Sequence, residues 1–231
     1  MRSGSWRVVL PLVLLLGAWV FCGLCSLLSP EQLAGDRGLK PSPDWSRGLR
    51  IGEMYGTDGP SLVVDERDHV HLLWIVRLGR KEYDLRYVRL DEQGALEEDR
   101  ELNAGLFYPR RARLVLREDG SMHAFVLALS EPGTPAGLFH LSLTAEGRLD
   151  SEPTLLSAAD KATFFYDLAC SPQGAIHVFW VEEGDSSFDL FHSTLGADKQ
   201  ARLILHGASH PAVATDSGGN MHLLWTQEGQ N

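Results

Sequence analysis

Apolar and polar positions fall into two regimes along this chain. Residues 8–28, VVLPLVLLLGAWVFCGLCSLL, form an apolar run of 21 without a charged side chain. After residue 58 the apolar residues come instead in short runs of strand length, separated by Asp- and Gly-rich breaks. The first of these runs are Ser61–Asp65, His69–Val76, Tyr83–Asp91 and Ala95–Leu102, bounded by Glu66-Arg67-Asp68, Gly79-Arg80 and Glu92-Gln93-Gly94. Such breaks supply the backbone conformations that tight turns need, so the pattern predicts four short strands.

The pattern then returns. Segments 61–74 (SLVVDERDHVHLLW), 113–126 (RLVLREDGSMHAFV), 167–180 (DLACSPQGAIHVFW) and 212–225 (AVATDSGGNMHLLW) align on His71, His123, His177 and His222, spaced 52, 54 and 45 residues apart. Three residues before each histidine stand Asp68, Gly120, Gly174 and Gly219, and three after stand Trp74, Val126, Trp180 and Trp225. A second landmark, Leu85, Leu138 and Leu190, keeps spacings of 53 and 52. Two landmarks with one period establish an internal repeat. Its first strand is apolar at successive positions (Leu62-Val63-Val64, Leu114-Val115-Leu116), which predicts a sheet covered on both faces.

Four strands per unit, a long period and sheets stacked between like sheets predict an all-β fold and, within that class, a β-propeller. The units run over 59–108, 109–163 and 164–209, with a partial unit at 210–231, giving about three and a half four-stranded blades. Propellers use roughly 4–8 blades, so the sequence is expected to be a fragment of a longer propeller. Residues 31–58, with Pro41 and Pro43, read as a tether that also offers an outer closing strand at 45–55.

The repeat Asp216-Ser-Gly-Gly-Asn220-Met-His222-Leu-Leu-Trp225 resembles those of sialidase-like (BNR-type) β-propellers of bacterial extracytoplasmic proteins, over residues 59–231. That resemblance implies architecture far more than activity, because propellers host many unrelated functions. Catalytic sialidases are marked by S-x-D-x-G-x-T-W boxes, three separated arginines, a Tyr–Glu pair and an Asp acid. This chain has no such box and no arginine that matches the triad, so no catalytic residue is carried over.

Charge bounds the partners. Residues 30–231 hold 19 bases (21 less Arg2 and Arg7) against all 31 acids, a net of −12, which excludes a general nucleic-acid binder. The apolar run would span roughly 30 Å as a helix, the thickness of a bilayer core. With Arg2 and Arg7 before it and Glu31 and Asp36 after it, residues 1–30 are expected to be a transmembrane helix or signal anchor. The protein is then membrane-bound and single-pass, with its C-terminal domain outside the cytoplasm. Cleavage of a signal peptide, giving a secreted domain, is the alternative. Cys170 is the one cysteine beyond the apolar run, so no intramolecular disulfide is expected, and it reads as a small buried hydrophobe.

Side chains at a repeated strand position stand around a propeller axis instead of converging. His71, His123, His177 and His222 therefore read as structural, and Trp74, Trp180 and Trp225 as apolar plugs, one per blade interface. His69 reads as an exposed bystander and Asp216-x-Gly-x-Asn220 as a plain turn, so neither metal nor cofactor is expected. The G-x-S-x-G, H-E-x-x-H, Walker and G-x-G-x-x-G motifs are absent. Propellers bind ligands where the loops leading into the inner strands gather around the axis. Tyr108, Arg110, Arg111, Tyr166, Asp167 and His210 lie in those segments and make a sugar- or anion-contacting set. Two functions follow: a non-catalytic extracytoplasmic binding or scaffold module for a glycan or protein partner, or a sialidase-like glycoside hydrolase whose catalytic residues are partly missing from the chain.

Overall fold

The computed structural model describes residues 51, 59–79, 82–196 and 201–227. The expected membrane anchor at 1–30 and, apart from Ile51, the tether at 31–58 lie outside the described residues. Among the described residues every regular element is a strand, and no helix is long and apolar enough to cross a membrane.

The strands form successive antiparallel meanders. Blade 1 is β1 (Ser61–Val64), β2 (Val70–Arg77), β3 (Tyr83–Leu90) and β4 (Leu96–Glu101), in that spatial order. Blade 2 is β5 (Phe107–Leu116), β6 (Met122–Leu129), β7 (Ala136–Leu143) and β8 (Thr154–Leu155). Blade 3 is β9 (Thr163–Cys170), β10 (Ile176–Glu183), β11 (Phe188–Thr194) and β12 (Arg202–His206). The last sheet, blade 4, pairs β13 (Ala208–Thr215) with β14 (Met221–Gln227).

The repeat landmarks have local causes. Asp68, Gly120, Gly174 and Gly219 all have φ between 61° and 84°, in the left-handed region that glycine enters without strain. Each donates its N–H to the carbonyl three residues back, at Asp65, Arg117, Ser171 and Asp216, closing the same turn between first and second strands. The carboxylates of Asp65 and Asp216 cap their turns by accepting further backbone N–H groups. One more glycine answers to packing: a Cβ at Gly147 would meet the Tyr87 ring of blade 1 at 2.0 Å.

Alternation along the second strands sorts side chains between neighbouring blades. Leu73 and Ile75 face blade 2, where they meet Met122, Ala124 and Val126. Phe125 and Leu127 face blade 3 and meet Ile176, Val178 and Trp180. Phe179 and Val181 face blade 4 and meet Ala208, Val213 and Leu223. The repeat histidine thus points at the following blade and the residue three positions on at the preceding one.

The expected double-sided cover fails at both ends of the stack. In β1, Leu62 and Val64 are 55% and 50% exposed, because no described sheet precedes blade 1. Leu224 is 73% and Trp225 43% exposed, and His222 is exposed too, because β14 is the outer edge of a two-stranded sheet. Trp225 is therefore not an interface plug as Trp180 is, at 0% exposure, and His222 Nε2 lies 3.1 Å from the Asp216 carboxylate of its own turn. Cys170 is exposed at the end of β9, not buried. His69 is no bystander either: its Nδ1 lies 2.9 Å from the Asp65 carboxylate.

Candidate functional site

The sequence places the candidate ligand residues in loops leading to the inner strands. They lie instead inside the inner strands β5, β9 and β13, at their starts. All three strands are irregular there. The pairing of β5 with β6 shifts between Phe107 and Ala112, that of β9 between Phe165 and Thr163, and that of β13 between Ser209 and Ala212. Tyr108, Arg111 and His210 each have φ +49°, a conformation non-glycine residues hold only when their surroundings enforce it.

These bulges bring together three residues from three blades. The Arg111 guanidinium sits 5.5 Å from the centre of the Phe165 ring, and the His210 ring centre is 3.8 Å from that of Phe165. Arg111, Phe165 and His210 each stand twelve residues before their blade's repeat histidine, so they are equivalent positions forming one column across blades 2, 3 and 4. His210 Nδ1 is 2.8 Å from the Ser209 hydroxyl and 3.3 Å from that of Thr226, which fixes its ring. Around the column the inner-strand starts expose aromatic surface: Phe107, Tyr108 and Phe164 are 42%, 40% and 37% exposed. Tyr108 is braced by Tyr83, with ring centres 5.8 Å apart, and Phe164 by Phe188 at 5.0 Å. Arg110 is exposed beside Arg111. The result is a cationic and aromatic strip in an otherwise acidic chain.

Two of the expected ligand residues turn away from this strip. Tyr166 is 3% exposed and packs between blades 2 and 3, its hydroxyl 2.6 Å from the Arg111 carbonyl and 2.7 Å from that of Phe125. Asp167 faces blade 4, where its carboxylate accepts the Val213 N–H at 2.8 Å. Both lie beyond the β9 irregularity, in regular register with β10, so plain alternation turns Tyr166 toward blade 2 and Asp167 toward blade 4. Phe165, at the centre of the column, shares its segment with Tyr166 and Asp167 but is not in the expected ligand set; the fixed offset of twelve from the repeat histidine is the signal that singles it out.

A second polar cluster is occupied by its own ion pairs. At the opposite end of the inner strands a cleft of about 360 Å³ lies between blades 1 and 2, lined by Asp65, His69, His71, Arg89, Arg117 and Glu146 among others. Arg89 pairs there with Glu97, Arg117 with Asp119, and Asp65 with both histidines. Burial pushes the Asp65 carboxyl up, but the hydrogen bonds from His69, Arg67 and His71 outweigh it and hold the group well below the usual carboxylate range. Among the described residues no group of three or more His, Cys, Asp or Glu side chains is placed to hold a metal ion.

No family model matches the chain, and no curated protein matches it. Solved structures do. An exo-β-1,3-galactanase from Clostridium thermocellum is similar with a TM-score of 0.52 and 12% identity, over 76% of this chain and 43% of that one. An endo-arabinase from Bacteroides thetaiotaomicron is similar at 0.49 and 11%, over 74% and 75%. A fucose lectin from Kordia zhangzhouensis is similar at 0.43 and 14%, over 64% and 99%. The likeness to the galactanase is one of fold, the β-propeller of four-stranded antiparallel sheets, and this chain spans less than half of that chain's length.

Proposed function

We propose that this protein is a non-catalytic glycan-binding propeller module, held at the outer face of a membrane by residues 8–28. The observation that carries this reading is the column of Arg111, Phe165 and His210, built from equivalent bulged positions of three blades. A sugar offers an apolar C–H face and an edge of hydroxyl oxygens. Exposed Tyr108 and Phe164 suit the face, and the N–H groups of Arg111 and His210 suit the edge. Such a site is mostly apolar with a few fixed polar groups, as ligand sites generally are.

The hydrolase reading needs two carboxylates about 5–9.5 Å apart at the scissile bond. Among the four inner strands Asp167 is the one acid, and it is engaged by the Val213 N–H. Binding without turnover is therefore favoured over a sialidase-like activity. The galactanase neighbour, by its name an enzyme acting on galactan, guides the choice of test sugars only. The experiment is binding of the full chain to an immobilised panel of β-1,3-galacto-oligosaccharides, arabino-oligosaccharides, fucosides and sialosides, with an aryl-glycoside turnover assay alongside. Binding that falls in Arg111→Ala, Phe165→Ala and His210→Ala but not in Arg148→Ala supports the proposal. Turnover abolished in Asp167→Asn would refute it.

A further inference from the structure

In blades 1 to 3 the repeat histidine points at the next blade, but its partner on the third strand changes along the chain. In blade 1 His71 has Nδ1 2.7 Å from the Tyr87 hydroxyl and Nε2 3.3 Å from the Asp65 carboxylate. In blade 2 the partner is a second histidine, His123 Nδ1 lying 2.9 Å from His140 Nε2. Blade 3 repeats the pair, with His177 Nδ1 3.1 Å from His192 Nε2. Tyr87, His140 and His192 occupy one repeat position, two residues after Leu85, Leu138 and Leu190.

A hydrogen bond between two imidazoles needs one nitrogen protonated and the other bare. A proton on each ring removes the acceptor and sets two N–H groups and two charges against one another. The surroundings give little relief. His123 faces Ser121, Asp119 and Arg117, but the Asp119 carboxylate is already shared between the Ser121 hydroxyl and Arg117. His140 and His192 pack on Phe125 and Phe179, with ring centres 5.3 and 4.5 Å away. Arg202 stands near His192, and among the described residues His177 is hydrogen-bonded to His192 and the Thr194 hydroxyl. Burial pushes all four histidines down, His140 to about 4. In blade 1 burial pushes His71 down as well, but there the Asp65 carboxylate works against the shift and offers the protonated ring a partner.

The pair in blade 2 lies on the face that meets blade 3, and the pair in blade 3 on the face that meets blade 4. Those are the two seams that the Arg111–Phe165–His210 column bridges. We propose that acidification loosens these two seams through their histidine pairs, while the seam between blades 1 and 2 holds, so that the column separates and releases its glycan at mildly acidic pH. The release rests on the glycan-binding reading; the loosening of the seams does not.

The first measurement is hydrogen–deuterium exchange of the full chain at pH 7.5 and 5.5, corrected for intrinsic exchange, without any ligand. Protection in β9, β10 and β13 is expected to fall by up to about tenfold per pH unit for each histidine that titrates, with β2 and β5 unchanged. His140→Tyr with His192→Tyr, which installs blade 1's residue in blades 2 and 3, should cut the response to what His123 and His177 alone retain. His140→Gln with His192→Gln does the same without a titrating ring if tyrosine is not accommodated. An equal response at every seam, or one that persists undiminished in both pairs of variants, overturns the seam. The second measurement is binding to the oligosaccharide panel above at both pH values. Loss at pH 5.5 that the variants rescue supports release through the seams. Loss that they do not rescue overturns the link. Absence of binding at either pH overturns the glycan reading and leaves the seam to be decided by exchange alone.

Discussion

Tyr166→Phe isolates one hydroxyl that joins two blades and supports the candidate site. The ring is 3% exposed and packs with Phe125, Leu127, Leu138, Ile176, Val178 and Trp180, so phenylalanine fills the same space. What disappears is a proton shared between the Arg111 and Phe125 carbonyls at 2.6 and 2.7 Å. Leaving buried acceptors without a donor costs about 1–3 kcal/mol, so a loss near 2 kcal/mol is expected in urea unfolding followed by tryptophan fluorescence. Tyr166→Ala also removes the ring, and should cost about 3–5 kcal/mol. There is a second, more discriminating effect. Arg111 holds φ +49°, a conformation that costs on the order of 1–3 kcal/mol and persists only where contacts enforce it. Without the tie to its carbonyl the bulge can relax and carry the guanidinium away from Phe165. Glycan binding should therefore fall several-fold in Tyr166→Phe under conditions where the protein remains fully folded. A variant within about 0.5 kcal/mol of the parent, binding as the parent does, would show that the hydroxyl neither joins the blades nor positions Arg111.

Other predictions test the repeat more broadly. Asp167→Ala should cost about 1–3 kcal/mol by leaving the Val213 N–H without its acceptor, and Asp167→Asn, which keeps an oxygen there, clearly less; urea unfolding compares them. Ser61→Ala should behave like Asp167→Ala, because its hydroxyl accepts the Leu114 N–H at the same repeat position. Gly147→Ala combines φ +72° with a Cβ pressed into the Tyr87 ring, whereas Gly120→Ala, at φ +79°, meets nothing within 4 Å. The first should lower stability by roughly 2–4 kcal/mol and the second by about 1 kcal/mol, both read by thermal unfolding. Finally, stability should fall as pH drops below about 6.5, since His140 takes up its proton near 4 when folded and near 6.5 when unfolded, so the unfolded chain holds more protons between those values. Allowing for solvent screening, His140 contributes roughly 1–2 kcal/mol of this loss by pH 5, and His140→Tyr should flatten the curve.

Period and strand positions could be read because each landmark has a cause local to its own few residues. Gly120, Gly174 and Gly219 are needed by a backbone angle, and the runs between turns are bounded by residues that cannot continue a strand. The site was legible only in location. Tyr108, Arg110, Arg111 and His210 were found because they begin the inner strands, but which side of the strand each residue takes depends on bulges, and bulges leave no mark on alternation until the pairing is known. Tyr166 and Asp167 read as ligand contacts because they share the segment that starts β9, although plain alternation turns each of them into a seam between blades, and Phe165 stands in the same segment without being in the expected ligand set.

The seams also show why the repeat tolerates its own irregularity. Ser61, Arg113 and Asp167 share one position, ten residues before the repeat histidine, and two of them accept an N–H from the next blade's inner strand. Arg113 has only donors and cannot play that part. At that seam the bonds run from other groups: the Tyr166 hydroxyl reaches back to the Arg111 and Phe125 carbonyls, and Arg117 Nε donates to the Gly174 carbonyl at 2.9 Å. A blade interface requires that its strand-end polar groups be met, and residue identity at any one position is secondary to that requirement. The seam lacking the repeated acceptor is the one in which Tyr166 holds the Arg111 bulge, so the departure from the repeat and the candidate site have a common origin.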